Sequence, residues 1–352
     1  MALSFFSSCH GKSKRDAREK SVRASGVLAN AWLKEIEQKK EKALDSFINS
    51  LSERERLAQL FVVNLEGSQN FWFAEWVEDE DLPPVQEARG KNRKNAPKTA
   101  PLIPGGYIFF SFNIDKDPAK IAAFTDSVRD FARKEKSVEP FLCLDAEGGY
   151  VNRLRGVSGP LPENSWVSKN LSAEQARRLY SLNALQLSAL GFDLNLSPVV
   201  EVENESNKSF LDGRSFGSAS QVVAYGSAAV NAYQKNGVAA VLKHFPGNNS
   251  SDPHLELPVL KMEGEQFERD VLDPFEKLVK TRPAGVLMSH ILANVDFDKD
   301  FSQAQKSGAL KTPASLSSFW IKDVLRGRLA FKGLVFSDDI FMDALAKNGW
   351  PN

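Results

Sequence analysis

From residue 46 onward the chain alternates short apolar runs with amphipathic helices, and this rhythm limits the fold more than any other feature. Seven runs read as strands, at residues 60–65, 106–110, 140–145, 192–202, 238–243, 285–288 and 333–336. Helical periodicity falls between them, at 118–134, 172–190, 220–235, 266–280 and 315–329. Two helix starts carry a capping box, in which a serine and the Glu or Gln three residues later satisfy each other's backbone donors. They are Ser52 with Glu55 and Ser172 with Gln175. Buried strands joined through helices pair in parallel, with the helices covering the sheet. Seven such strands in roughly 280 residues fit an α/β fold of the (β/α)8 TIM-barrel type, whose usual size is about 250 residues. A doubly wound open sheet is the alternative, but no Gly-x-Gly-x-x-Gly follows a strand, which weakens a dinucleotide-binding reading.

Composition narrows the functional classes. Lys plus Arg and Asp plus Glu balance at 45 each, so no global field draws nucleic acid. The two cysteines, Cys9 and Cys143, make no disulfide framework and no metal-ligand spacing. No apolar run reaches the length of a membrane span. Residues 1–45 read as an N-terminal extension or tether. Its weakly apolar start, Met1 to Ser8 before Cys9, resembles the end of a lipoprotein signal, so a lipid anchor at Cys9 is the one membrane link expected. The location expected is the cytoplasm or, through that anchor, the bacterial envelope; the oligomeric state is left open. Residues 46–352 read as the barrel domain. It is interrupted at 68–100 by an aperiodic insertion with Trp72, Trp76, an acidic run and a basic run, of the kind used as a lid or left disordered.

In a parallel barrel the chemistry gathers at the C-terminal ends of the strands. The third strand ends in Asp145-Ala146-Glu147-Gly148-Gly149, with Arg153 just beyond. The fourth leads to Asp212-Gly213-Arg214-Ser215-Phe216-Gly217. The fifth ends in Lys243-His244-Phe245-Pro246-Gly247, followed by Asp252-Pro253-His254. The sixth ends in Ser289-His290 and the seventh in Ser337-Asp338-Asp339. Three of the four histidines therefore lie at strand ends. A metal site wants His-x-His pairs or a cysteine cluster, and neither occurs, so no metal and no cofactor is expected. Glycoside hydrolysis needs a carboxylate on one face of a sugar and an acid/base on the other. Asp338 and His254 can supply these, with Asp145, Arg153, Arg214 and Lys243 gripping hydroxyls. A polar loop with incidental histidines, a helix-capping Asp145 and an Arg214–Asp212 pair are the structural alternatives.

These stretches, with Leu257-Pro258, Val286-Leu287-Met288 and Lys332-Gly333-Leu334-Val335-Phe336, resemble the β-N-acetylglucosaminidases of glycoside hydrolase family 3, in the family's order from about residue 48 to 345. The resemblance implies that Asp338 is the nucleophile, His254 the acid/base and Asp252 its partner. It implies that Asp145, Arg153, Arg214, Lys243 and His244 bind the N-acetylglucosamine unit; His290 is grouped with them as a substrate-binding candidate. The outcome implied is removal of terminal β-linked N-acetylglucosamine with retention, through a covalent glycosyl-enzyme, from peptidoglycan fragments ahead of chitin oligomers. A non-catalytic amino-sugar or cell-wall binder and a phosphorylase are the alternatives.

Two departures from the family pattern carry expectations. After Lys-His-Phe-Pro-Gly the family has His-Gly-Asp-Thr in a longer loop, whereas Asn248-Asn249-Ser250-Ser251 stand here, which alters how His254 is set over a sugar. Fourteen residues follow Asp338, so the barrel is expected to stop before its eighth strand, leaving the first and seventh strands with unpaired edges.

Overall fold

The computed structural model describes residues 38–68, 102–296 and 311–350. Cys9 and almost all of the 68–100 insertion lie outside the described residues. The chain divides into two units, 1–60 and 61–352. In the first, residues 38–50 are helical and exposed. A second helix, Glu53–Ala58, starts at the expected capping box, with Ser52 donating its N–H to Glu55 Oε2 at 2.7 Å and accepting the Glu55 N–H at 3.3 Å.

The strands of the second unit are β1 (Val62–Asn64), β2 (Gly106–Phe109), β3 (Phe141–Leu144), β4 (Ala146–Gly148), β5 (Val151–Asn152), β6 (Leu194–Asn195), β7 (Ala239–Phe245), β8 (Val259–Glu263), β9 (Gly285–Met288), β10 (Leu292–Asp296) and β11 (Leu334–Ser337). Seven of them form one sheet in the order β1-β2-β3-β6-β7-β9-β11, every neighbouring pair parallel. All seven fall on the expected apolar runs. A short hairpin, β4–β5, and a parallel pair, β8–β10, stand outside this sheet and were not expected.

Why the sheet curls is visible in its side chains. Strand residues alternate between faces. On β3, Leu142 and Leu144 face outward into the large core shared with the helices, while Phe141 and Cys143 face inward. On β7, Ala240 and Leu242 face outward; Ala239 and Val241 face inward. The helix Pro118–Lys134 covers the outer face with Ile121, Phe124, Val128 and Ala132, spaced three and four apart so that one stripe is buried. The inward residues form a separate small cluster of Cys143, Leu194, Leu196, Val241 and Leu287, packed by Phe141 and Phe336. Phe141 lies on β3 and Phe336 on β11, four strands along, a separation of roughly 19 Å in a flat sheet. Their ring centroids are 6.2 Å apart. The sheet is therefore wrapped around its inner cluster, as in a barrel. The two rings sit where Gly106 and Gly285 leave room: a Cβ there would meet Phe141 at 2.5 Å and Phe336 at 2.7 Å. β1 and β11 form the two edges, and no eighth strand joins them among the described residues. Both edges are exposed, with Val62 at 36% and Leu334 at 54%.

The helices Ala173–Ala189 and Ala219–Lys235 match expectation, the first opening on Ser172 and Gln175 as a capping box. The expected helix at 266–280 is built in three pieces, Gly264–Phe267, a wide-turn segment Glu268–Leu272, and Asp273–Val279. The expected helix at 315–329 becomes a single turn, Ala314–Leu316, followed by a wide-turn helix, Phe319–Arg328.

Candidate active site

The same alternation that fills the inner cluster delivers its polar lid. Continuing β3 inward from Phe141 and Cys143 brings Asp145 to the mouth, and continuing β7 from Ala239 and Val241 brings Lys243 there. On β11 the alternation from Phe336 reaches Asp338, whose N–H still pairs with the Met288 carbonyl at 3.1 Å. Residues far apart in sequence thus converge at the C-terminal end of the sheet.

The floor is a buried lattice of charge. Lys243, 4% exposed, places Nζ 2.7 Å from Asp145 Oδ1 and 2.6 Å from Glu147 Oε1. Arg153 donates from Nη2 to the other Asp145 oxygen at 2.9 Å. Arg214 grips Glu147 in a bidentate pair, Nε to Oε2 at 2.8 Å and Nη2 to Oε1 at 2.9 Å. Arg214 is therefore Glu147's partner rather than that of Asp212, and Asp145 bonds Lys243 and Arg153 rather than capping a helix. The Gly148-Gly149 turn lets the chain double back so that the Arg153 N–H reaches the Asp145 carbonyl at 3.0 Å. Both glycines have positive φ, 112° and 56°, and a Cβ on Gly148 would lie 2.1 Å from the Pro162 carbonyl oxygen.

Burial alone would push both acids up, but the cations win. Lys243 and Arg153 hold the Asp145 carboxyl well below its ordinary range. Lys243 and Arg214 bring Glu147 down to about 2 from an ordinary 4.5. Burial opposes the charge on Lys243, yet Asp145 and Glu147 raise its pKa. The unfolded chain then binds more protons than the folded one below about pH 4.5, so stability falls as pH drops through the range from about 4.5 to 2. Denaturant unfolding at about pH 3 should give a lower midpoint than at pH 6; equal midpoints would mean the lattice is not fully ionised in the folded state.

His244 lies at an irregularity of the β7–β9 pairing, where the register shifts between Lys243 and Phe245. Its Nδ1 lies 2.6 Å from Glu201 Oε1, which fixes that nitrogen as a donor. Glu201 also accepts the Asn248 N–H at 2.6 Å and the Asn248 side-chain amide at 3.1 Å. Burial would raise Glu201, but the bond from His244 and then that from Asn248 keep it ionised and its pKa low. Glu147 and Glu201 are not singled out by the sequence as site residues, and Asn248 is marked only as part of the altered loop. Glu147 lies inside a quoted motif; Glu201 stands at the end of the fourth apolar run, which is the signal that could have found it.

Asp252 and His254 form a pair on the loop after β7, with His254 Nδ1 2.7 Å from Asp252 Oδ1 and the His254 N–H donating to the same oxygen at 2.9 Å. Burial acts against the Asp252 charge, but these bonds lower its pKa. The pair stands open to solvent, its side chains 65% and 46% exposed. The Pro253 carbonyl accepts the N–H of Ala344, so the loop is tied to the turn that follows Asp338. Asp338 is partly exposed and accepts the Asp339 N–H at 3.0 Å. His290, by contrast, is buried and has both ring nitrogens occupied, by Ser315 Oγ at 2.7 Å and by the Asp339 carbonyl at 2.9 Å. The floor thus has one half-satisfied member: Arg153 Nε is buried without a hydrogen-bond partner among the described residues.

Comparison with known proteins places the chain in a family. Residues 54–352 match the glycosyl hydrolase family 3 N-terminal domain. A β-hexosaminidase of Tolumonas auensis is 34% identical over 253 residues, covering 70% of each chain. One from Nitrosomonas eutropha is 30% identical over 259 residues, covering 71% of this chain and 68% of that protein. Among solved structures, a glycoside hydrolase family 3 β-N-acetylglucosaminidase from Paenibacillus sp. superimposes with a TM-score of 0.69 at 28% identity. That match covers 85% of this chain and 51% of the other, so this chain spans about half the length of that enzyme.

Proposed function

This chain belongs to glycosyl hydrolase family 3, and on that premise we propose that it is a retaining glycosidase removing terminal β-linked N-acetylglucosamine. The observation that carries the reading is the Asp252–His254 pair, an imidazole oriented by a carboxylate on a loop at the sheet end that also bears Asp338. In this reading Asp338 attacks the anomeric carbon and the C–O bond to the leaving group breaks. The His254 imidazolium gives its proton to the departing oxygen. The neutral ring then takes a proton from water, which attacks the same carbon, releases the sugar and frees Asp338. Histidine suits both halves because its unperturbed pKa lies near the working pH, and Asp252 stabilises the cation. The lattice of Asp145, Arg153, Arg214 and Lys243, with His244 beside it, would hold the sugar's hydroxyl and acetamido groups.

Release of 4-nitrophenol from its β-N-acetylglucosaminide, with and without inorganic phosphate, tests the reaction class. Free N-acetylglucosamine in both cases is expected; a phosphate-dependent sugar phosphate would make the protein a phosphorylase, and binding without turnover a lectin-like one. His254→Ala should keep activity on aryl glycosides with good leaving groups and lose about 10²-fold or more on alkyl ones, the usual contribution of general acid catalysis. Equal losses on both would remove His254 from that role. The natural substrates we propose are peptidoglycan fragments ending in this sugar; faster release from chitin oligomers would move the reading there.

A further inference from the structure

His290 was expected to touch the sugar, but its ring offers a sugar nothing: it is 1% exposed and both nitrogens are engaged. A carbonyl oxygen can only accept, so Nε2 must carry the hydrogen that the Asp339 carbonyl receives. Nδ1 meets the Ser315 hydroxyl, which can donate to that nitrogen or accept from it. Ser315 is itself buried and is fixed by its N–H on the Ser289 carbonyl at 3.1 Å, so the clamp starts from the backbone beside His290.

What the clamp holds is the turn leaving β11. Asp338 comes off the strand with its N–H on the Met288 carbonyl. Its carboxylate accepts the Asp339 N–H, and the Asp339 carbonyl is taken by His290 and by the Met342 N–H at 3.1 Å. The far end of the turn is already tied, through the Ala344 N–H to Pro253. Near Asp338 the tie that comes from outside the turn and beyond the strand pairing is His290. Among the described residues β11 pairs with β9, and His290 adds a tie beyond that pairing.

We infer that His290 is a positioning residue for the nucleophile: its Nε2–H, on a ring held by Ser315, fixes the backbone after Asp338 and so the approach of that carboxylate to the anomeric carbon. This rests on the reading of Asp338 as nucleophile. Substrate binding lies elsewhere, in the charged lattice, so the effect falls on turnover rather than affinity.

The test is steady-state kinetics of the full chain carrying His290→Ala, His290→Gln, Ser315→Ala or Asp338→Asn, on aryl and alkyl β-N-acetylglucosaminides, with thermal melts of each. His290→Ala should lower kcat about 100-fold, the scale of a misplacement of roughly 1 Å, with KM within about threefold. The loss should be the same factor on both leaving groups, unlike that of His254→Ala. His290→Gln, whose amide can still donate to the Asp339 carbonyl, should recover about tenfold of it, and Ser315→Ala should lose about threefold to tenfold. Unchanged kcat in a folded His290→Ala, a rise confined to KM, or equal losses in His290→Ala and His290→Gln would each overturn the inference. If His290→Ala does not fold, His290→Gln and Ser315→Ala decide: a kcat about tenfold below the parent's in the first and about threefold to tenfold below in the second, with KM held and both proteins folded, supports the clamp, and losses that track only the folded fraction overturn it. Turnover surviving in Asp338→Asn would instead sink the underlying nucleophile reading.

Discussion

Asp338→Asn is expected to lower kcat by about 10⁴-fold or more, on the order of 5 kcal/mol of barrier, with the unfolding midpoint close to that of the parent chain. The size follows from the role. A glycosyl-enzyme forms only if an anionic oxygen attacks, and an amide of the same shape has no such oxygen to offer. Its neutrality also withdraws the negative charge that faces the developing oxocarbenium ion. The stability half follows from the surroundings. Asp338 is partly exposed, and its recorded side-chain bond is the Asp339 N–H to Oδ1, which the Asn carbonyl oxygen can accept as well. Activity and stability thus separate at this position. Loss of both together would make Asp338 a structural residue at the end of an edge strand.

The second large effect is on stability. Lys243→Met should cost about 3 to 5 kcal/mol, a large share of the roughly 5 to 15 kcal/mol that holds a domain folded. Lys243 neutralises two carboxylates from inside the sheet, and Arg153 and Arg214 reach only one each. Methionine fills the stem's volume but leaves Asp145 and Glu147 close together and short of one positive charge. Coulomb repulsion between buried like charges is strong because little water screens it. Glu147→Gln added to Lys243→Met should therefore cost less than the sum of the two single changes, the mark of a shared interaction. Urea unfolding of the four proteins measures this, and strict additivity would mean that Lys243 and Glu147 do not sense each other.

The sequence made the strands legible because each is a short apolar run between turn residues, and the sheet gives those runs one environment. It made Asp145, Lys243 and Asp338 legible as strand-end residues for the same reason: alternation fixes the face of a side chain once its neighbours' face is known. Alternation does not name a partner. Lys243 meets Asp145 across 98 residues and His244 meets Glu201 across 43, and no local pattern marks either pair. That is why His290 was grouped with the sugar-binding residues: a histidine at a strand end looks alike whether it faces the mouth or the backbone of the next turn. The β8–β10 pair was missed because each strand follows directly on a strand-end loop, where a polar turn was the natural reading. The wide turns at Glu268–Leu272 and Phe319–Arg328 leave the helical spacing of apolar residues nearly intact, so periodicity alone reads them as ordinary helix. The shortened 248–251 loop is where structure added most. Asn248 within it closes over Glu201 with two hydrogen bonds and so becomes part of the support for His244.

The central claim is a covalent glycosyl-enzyme on Asp338, and trapping it is the most direct measurement. The full chain would be mixed with a 5-fluoro derivative of N-acetylglucosamine bearing a good leaving group, quenched in acid, digested and read by mass spectrometry. One sugar equivalent on the peptide containing Asp338, absent from Asp338→Asn and lost on dilution into water, is the predicted result. Substrate turnover with no adduct under these conditions, or an adduct on another carboxylate such as Asp339, would contradict it.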